Sequence, residues 1–155
     1  MSLNDEVRAL RDVALFARVE PAKLRQLAFS SERIRYGAGE ALFHKGDEGD
    51  SAYVVLSGRA EVLVASAAGE IKVADLGVSA LVGELAAFGE GIRTATVRAA
   101  EPLEVLRIGR GTLVQLLLDN PTIAIEIIRE LARRLGATTA DMIEARSALA
   151  ALRPD

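Results

Sequence analysis

Between Glu32 and Ile108 the chain breaks into short β-rich runs separated by glycines at 37, 39, 46, 49, 58, 69, 77, 83, 89 and 91. A segment interrupted so often does not suit long helices, because each interior glycine costs about 1 kcal/mol relative to alanine and marks a turn or bulge. The runs Ile34–Tyr36, Ala41–Phe43, Ala52–Leu56, Ala60–Ala65, Ile71–Leu76, Thr94–Ala99 and Leu103–Ile108 read as strands. Many short strands between closely spaced turns predict a sandwich, jelly roll or barrel.

On either side the period changes. Val7, Leu10, Val13 or Ala14, then Leu24 and Leu27, recur at spacings of three and four, and Pro21 suits a helix start, so two short helices precede the strands. After Gly111 the pattern is helical to the end. Ile123, Ile125, Ile127 and Ile128 make a wide apolar face suited to packing on the β-core. Ile128, Leu131, Leu135, Thr138, Met142, Ala145, Leu149 and Leu152 form a narrower stripe of the kind found at a helix–helix seam, weakened by Thr138 and Ala145. A partner helix is expected there, hence a homodimer through the C-terminal helix. The expected organisation is one domain over 1–155: N-terminal helices in 1–30, the β region in 31–109, and C-terminal helices in 110–155.

Composition removes several chemistries. With no cysteine and a single histidine, His44, the chain lacks or has only singly the residues that Cys/His zinc sites, cysteine-held iron–sulfur clusters and Cys–His or Ser–His dyads need. His44 itself reads as solvated or packed. A net charge of −3 argues against a bare phosphate-binding face, so no direct DNA binding is expected. The longest apolar runs, such as Val13–Ala17, are far below the roughly 18 residues of a membrane span. The acidic start at Asn4-Asp5-Glu6 lacks a secretory pattern, and a cytoplasmic location is expected. No G-x-x-x-x-G-K-[ST] loop occurs, and the pairs Gly37/Gly39 and Gly89/Gly91 have Leu42 and Thr94 where a dinucleotide fingerprint needs a small third residue. Asp47-Glu48-Gly49-Asp50 lacks calcium-loop spacing and reads as a charged hairpin turn.

Chemistry concentrates in residues 81–97. An apolar lead-in reaches Gly83, followed by Glu84-Leu85-Ala86-Ala87-Phe88, which reads as a strand breaking into a single helical turn. Exposed N–H groups at such a turn favour an anion, and Gly83 permits close approach to the backbone. Arg93 offers a planar fork of donors for two phosphate oxygens. Glu84, acceptor-only when ionised, suits a hydroxyl such as that of a ribose. Together these describe a site for one sugar and one monoanionic phosphate, or else a surface Glu–Arg ion pair.

This stretch resembles the phosphate-binding cassette of the cyclic nucleotide-binding domain family. Upstream, Arg35-Tyr36, Gly39-Glu40, Leu42-Phe43, Gly46-Asp47, Asp50, Tyr53, Val55-Leu56, Gly58 and Val62 are similar to that family's glycine-punctuated signature, and the likeness runs from about residue 10 to 135. The resemblance implies a mainly β fold with flanking α: an antiparallel, jelly-roll-like β-roll, with the cassette at 81–97. It implies that Glu84 accepts the ribose 2′-hydroxyl and that Arg93 pairs with the cyclic phosphate. Gly83, Leu85 and Ala86 would complete the cradle, with Thr94 and Ala95 after the arginine. Val82 and Ile92 depart from common family choices at packing positions.

The resemblance further implies a regulatory sensor and not an enzyme, with cyclic AMP favoured over cyclic GMP although the Thr94 hydroxyl could serve either, and with neither metal nor cofactor. Binding would move the C-terminal helices, with Leu135 or Met142 as lid, and signal to an effector protein of unknown identity. The alternatives are the sensor domain of a transcription regulator whose helix-turn-helix lies outside this chain, and a dimerisation module with a vestigial pocket.

Overall fold

The computed structural model describes residues 2–83, Ala87, Gly89 and 91–151. Two helices open the chain, α1 (Leu3–Arg11) and α2 (Pro21–Phe29), joined through a 3-10 turn at Ala14–Phe16. Ser2 starts α1 with a capping box, its hydroxyl accepting from the Asp5 N–H while the Asp5 carboxylate accepts from the Ser2 N–H. Of the two residues that could continue the apolar stripe, Val13 is buried and Ala14 is exposed.

Eight strands come next: β1 (Glu32–Tyr36), β2 (Ala41–Phe43), β3 (Ser51–Ser57), β4 (Ala60–Ser66), β5 (Gly69–Leu76), β6 (Leu81–Val82), β7 (Thr96–Ala99) and β8 (Leu103–Gly109). They form two four-stranded antiparallel sheets, β1-β8-β3-β6 and β2-β7-β4-β5, which is the expected roll. One boundary differs from expectation. The strand predicted to begin at Thr94 begins at Thr96, which leaves Arg93, Thr94 and Ala95 outside the ladder.

β3 serves two cores. Ala52, Val54 and Leu56 pack with the helices, while Tyr53 and Val55 point between the sheets, and β8 alternates in the same way through Leu106 and Ile108 against Leu103 and Val105. Full burial of each large aliphatic side chain contributes about 1.5–3 kcal/mol. Gly58, in the β3–β4 turn, has φ +85°, and a Cβ there would overlap the Pro102 carbonyl oxygen. The helices are pinned to the β1-β8-β3-β6 sheet by polar contacts as well. Buried Glu6 accepts from Arg33 on β1, which also lies 3.4 Å from Glu104 on β8. Ser79, held at φ 69°, donates its hydroxyl to the Ala9 carbonyl at 2.8 Å and so ties α1 to the segment entering β6.

Two helices close the chain, α3 (Arg110–Asp119) and α4 (Pro121–Ala151). On α4 the wide isoleucine face predicted from sequence divides. Ile123 and Ile127 are buried and Leu131 packs partly against the same core, whereas Ile125 and Ile128 are exposed because they lie off that line. Leu135, Thr138 and Met142 are exposed. Leu152 lies outside the described residues, and of Ala145 and Leu149 only the backbone is described. Among the described residues no single helix is long and apolar enough to cross a membrane.

Candidate functional site

A cleft opens between the sheets where β6 ends and β7 has yet to begin. Val62, Leu76, Leu81, Val82 and Val97 make its apolar wall, and Phe43, Gly83, Ile92, Arg93, Thr94 and Ala95 complete it, around about 210 Å³. The structure therefore brings Gly83, Arg93, Thr94 and Ala95 together at one cleft. Glu84, Leu85 and Ala86 lie outside the described residues.

Arg93 dominates the chemistry. Only 4% of it is exposed, yet among the described residues no carboxylate lies within ion-pair distance of its guanidinium. Nη1 donates to the Gly83 carbonyl at 3.3 Å, and Nε is buried with no acceptor among the described residues. The guanidinium carbon sits over the Phe43 ring, 4.1 Å from its centroid, and stands 5.6 Å from the Tyr53 centroid. Burial pushes the guanidinium below its ordinary pKa, with Tyr53 and Asp50 opposing that shift, but arginine starts so high that it stays charged. A cation withdrawn from water without a counter-ion costs several kcal/mol, and an arriving anion would offset that cost.

The backbone around the arginine is fixed by Lys45–Asp50. Gly46 N–H donates to the Arg93 carbonyl at 2.8 Å, Arg93 N–H to Asp47 at 2.9 Å, and Gly49 N–H to Gly91 at 2.7 Å. Lys45 N–H donates to the Thr96 hydroxyl at 3.1 Å. The acidic stretch Asp47–Asp50 is thus not the hairpin turn expected from sequence. It crosses from β2 in one sheet to β3 in the other and clamps the segment that carries Arg93. The start of α3 is attached here too, since Arg110 N–H donates to the Asp50 carbonyl at 2.7 Å and its Nε to Ala87 at 2.9 Å. His44 is solvent-exposed, its ring nitrogen 3.7 Å from Asp47, which matches the solvated one of the two placements expected for it.

Sequence reasoning missed Phe43 and Gly49. A Cβ on Gly49 would sit 2.5 Å from both Cζ and Nη2 of Arg93. The only local signal was a glycine inside an acidic turn. Elsewhere, a cleft of about 340 Å³ between α2 and α3 has Leu27 and Leu116 among its walls, but its charged residues, Lys23 and Asp119, are not buried, so it lacks a comparable anchor for an anion. Among the described residues no cluster of three or more potential metal ligands occurs.

Comparison with known proteins gives a consistent answer. The family profile described as cyclic nucleotide-binding domain matches residues 33–120. The crystal structure of the N-terminal domain of a transcriptional regulator from Streptomyces coelicolor A3(2) is 37% identical, with a TM-score of 0.75 over 86% of this chain and 94% of that one. Lysophospholipase nte1 of Aspergillus oryzae is 32% identical over 74% of this chain, which spans only 8% of that protein's length. The CRP-like cAMP-activated global transcriptional regulator of Mycobacterium tuberculosis is 28% identical over 90% of this chain and 62% of its own length.

Proposed function

The chain belongs to the cyclic nucleotide-binding domain family, and on that premise we propose that it is a sensor module whose cleft takes a cyclic nucleotide, with cyclic AMP preferred. The observation that carries this reading is Arg93, a buried cation with an unsatisfied Nε at the head of an apolar cleft. A cyclic phosphate supplies one negative charge and two exocyclic oxygens to such a donor fork. Gly83, with φ +80° and no Cβ to crowd Arg93, leaves the backbone open to close approach. Val62, Leu76 and Leu81 offer the base an apolar wall, and Glu84 has the chemistry to accept the ribose 2′-hydroxyl. The preference for cyclic AMP is supported by the name of the 28% identical Mycobacterium tuberculosis regulator.

The output passes through α3 and α4. Arg110 links the start of α3 both to Ala87 in the cassette and to Asp50 in the clamp, so a ligand that shifts either shifts the helix. The shift is limited by the ligand's differential affinity for the two arrangements. Leu135 or Met142, both exposed on α4, would serve as the lid. Ile128, Leu135 and Met142, exposed at intervals of seven, form the stripe through which α4 would pair with a second copy. This is a binding module acting in the cytoplasm on an effector protein, and not an enzyme. A second reading, the sensor domain of a transcription regulator, is favoured by the 37% identity to such a domain. Reading the transcript past codon 155 separates the two.

Calorimetric titration with cyclic AMP, cyclic GMP, 5′-AMP and adenosine tests the site. Binding of a cyclic nucleotide well above adenosine is expected. Silence of both cyclic nucleotides at millimolar concentration would leave only the vestigial pocket.

A further inference from the structure

We propose that Phe43 is a positioning residue for the anion-binding arginine: its ring face carries the Arg93 guanidinium, while the Cβ-free backbones of Gly49 and Gly83 leave the space that the guanidinium fills. The inference rests on the reading of the cleft as a cyclic nucleotide site and adds to it how the cation is held before a ligand arrives.

A buried arginine is usually steered by a carboxylate, which fixes the guanidinium through its N–H groups and thereby consumes them. Arg93 has no such carboxylate among the described residues and is steered differently. The guanidinium carbon lies 4.1 Å from the Phe43 centroid, and Phe43 is itself backed by Tyr53, with the two ring centroids 5.9 Å apart and tilted by 35°. An aromatic ring attracts a cation through the face of its π system, and the guanidinium can answer with its own flat face. Its five N–H groups radiate in the molecular plane, at right angles to that contact. Holding the group by its face therefore leaves the edge available. Nη1 uses part of that edge on the Gly83 carbonyl, and Nε is left without an acceptor. A carboxylate partner would have cancelled the charge that a phosphate must meet, whereas a hydrocarbon ring does not.

The space for this arrangement comes from two missing side chains. A Cβ at Gly49 would fall 2.5 Å from Cζ and Nη2, and one at Gly83 would overlap Nη1. The clash at Gly49 is with the far end of a flexible side chain, so alanine there evicts the guanidinium without displacing a strand. Phe43 sits in the short strand β2 opposite Val97 of β7, just past a shift in the register of that pairing, so the ring is set by the sheet and not by the ligand.

Phe43→Leu should weaken cyclic AMP binding about 30-fold, the fold-change that corresponds to the loss of a desolvated cation–π contact. Phe43→Tyr, which keeps the face, should restore it to within a few-fold. Gly49→Ala should cost more than about 30-fold, approaching Arg93→Ala, with a cooperative unfolding transition retained. In an Arg93→Ala background both Phe43→Leu and Gly49→Ala should have little further effect. Additive losses would mean that Phe43 touches the ligand and does not act through the arginine, which would overturn the proposal, as would unchanged affinity in Phe43→Leu. A second readout needs no ligand: the Arg93 Cδ protons in NMR spectra of the free protein should carry a ring-current shift that Phe43→Leu abolishes. If that shift is present while the unmodified protein binds neither cyclic AMP nor cyclic GMP, the stack stands and the ligand assignment fails. If the unmodified protein binds but the shift is absent, the stack fails alone.

Discussion

Replacing Arg93 by methionine should strengthen the ligand-free protein while abolishing its response to ligand. The arginine contributes a ring contact of about 2 kcal/mol and one charge-assisted hydrogen bond, 3.3 Å long, of about 1.5 kcal/mol. Against these stands the several kcal/mol that a buried cation costs when, as among the described residues here, no counter-ion is within reach. Methionine matches the side chain as far as Nε, can offer Phe43 a sulfur–ring contact in place of the guanidinium, and has no charge to desolvate. The balance favours the variant by about 1–2 kcal/mol, and at about 2–4 °C per kcal/mol for a chain of 155 residues its ligand-free Tm should rise by about 2–8 °C. The unmodified protein at a ligand concentration of 100 times Kd should gain about 2.7 kcal/mol, hence about 5–11 °C, and the variant nothing. Differential scanning calorimetry with and without cyclic AMP reads both signs at once. A ligand-free Tm that falls by several degrees would make Arg93 a structural strut and refute the reasoning, as would a ligand-dependent rise that survives the substitution.

Further substitutions probe other parts of the molecule. Ile128→Glu, at a position 64% exposed, should shift sedimentation toward monomer without changing the binding of cyclic AMP per chain; an unshifted boundary would detach the α4 stripe from dimerisation. Gly58→Ala forces a side chain onto a φ of +85° and against Pro102, so it should lower stability by at least about 2 kcal/mol in urea unfolding. The Asp5 carboxyl is held below its ordinary value by the Ser2 N–H and hydroxyl. Because its folded pKa lies below the unfolded one, the stability it contributes is present above about pH 4 and disappears as pH falls through the folded value. Asp5→Asn should remove that acid dependence from amide exchange in α1.

What could be read from the sequence was local. Glycine spacing located the strands because a turn and the runs it separates are neighbours along the chain, and Pro21 and the leucines of α2 marked their helix for the same reason. Position 94 misled because Thr94 and Ala95 look like strand residues in isolation, while the Lys45–Asp50 clamp draws Arg93 out of the ladder. The isoleucines of α4 misled because a helix of β-branched residues looks apolar all round until a partner surface selects Ile123 and Ile127 over Ile125 and Ile128. Arg93 was visible through its motif, but its support was not. Phe43, Gly49, Tyr53, Gly83 and Arg93 meet only in three dimensions, and no one-dimensional period joins them.

The alternation along β3 limits how this fold can vary. A strand that shows odd residues to one interior and even residues to the other behaves as a shared partition, so deleting one residue between Ser51 and Ser57 would turn both interiors inside out together, driving Tyr53 toward the helices and Ala52 or Val54 into the roll. Changes of chain length are therefore confined to the connecting loops. The same partition means that strain imposed from the roll side is already strain on the helix side, across the thickness of a single backbone.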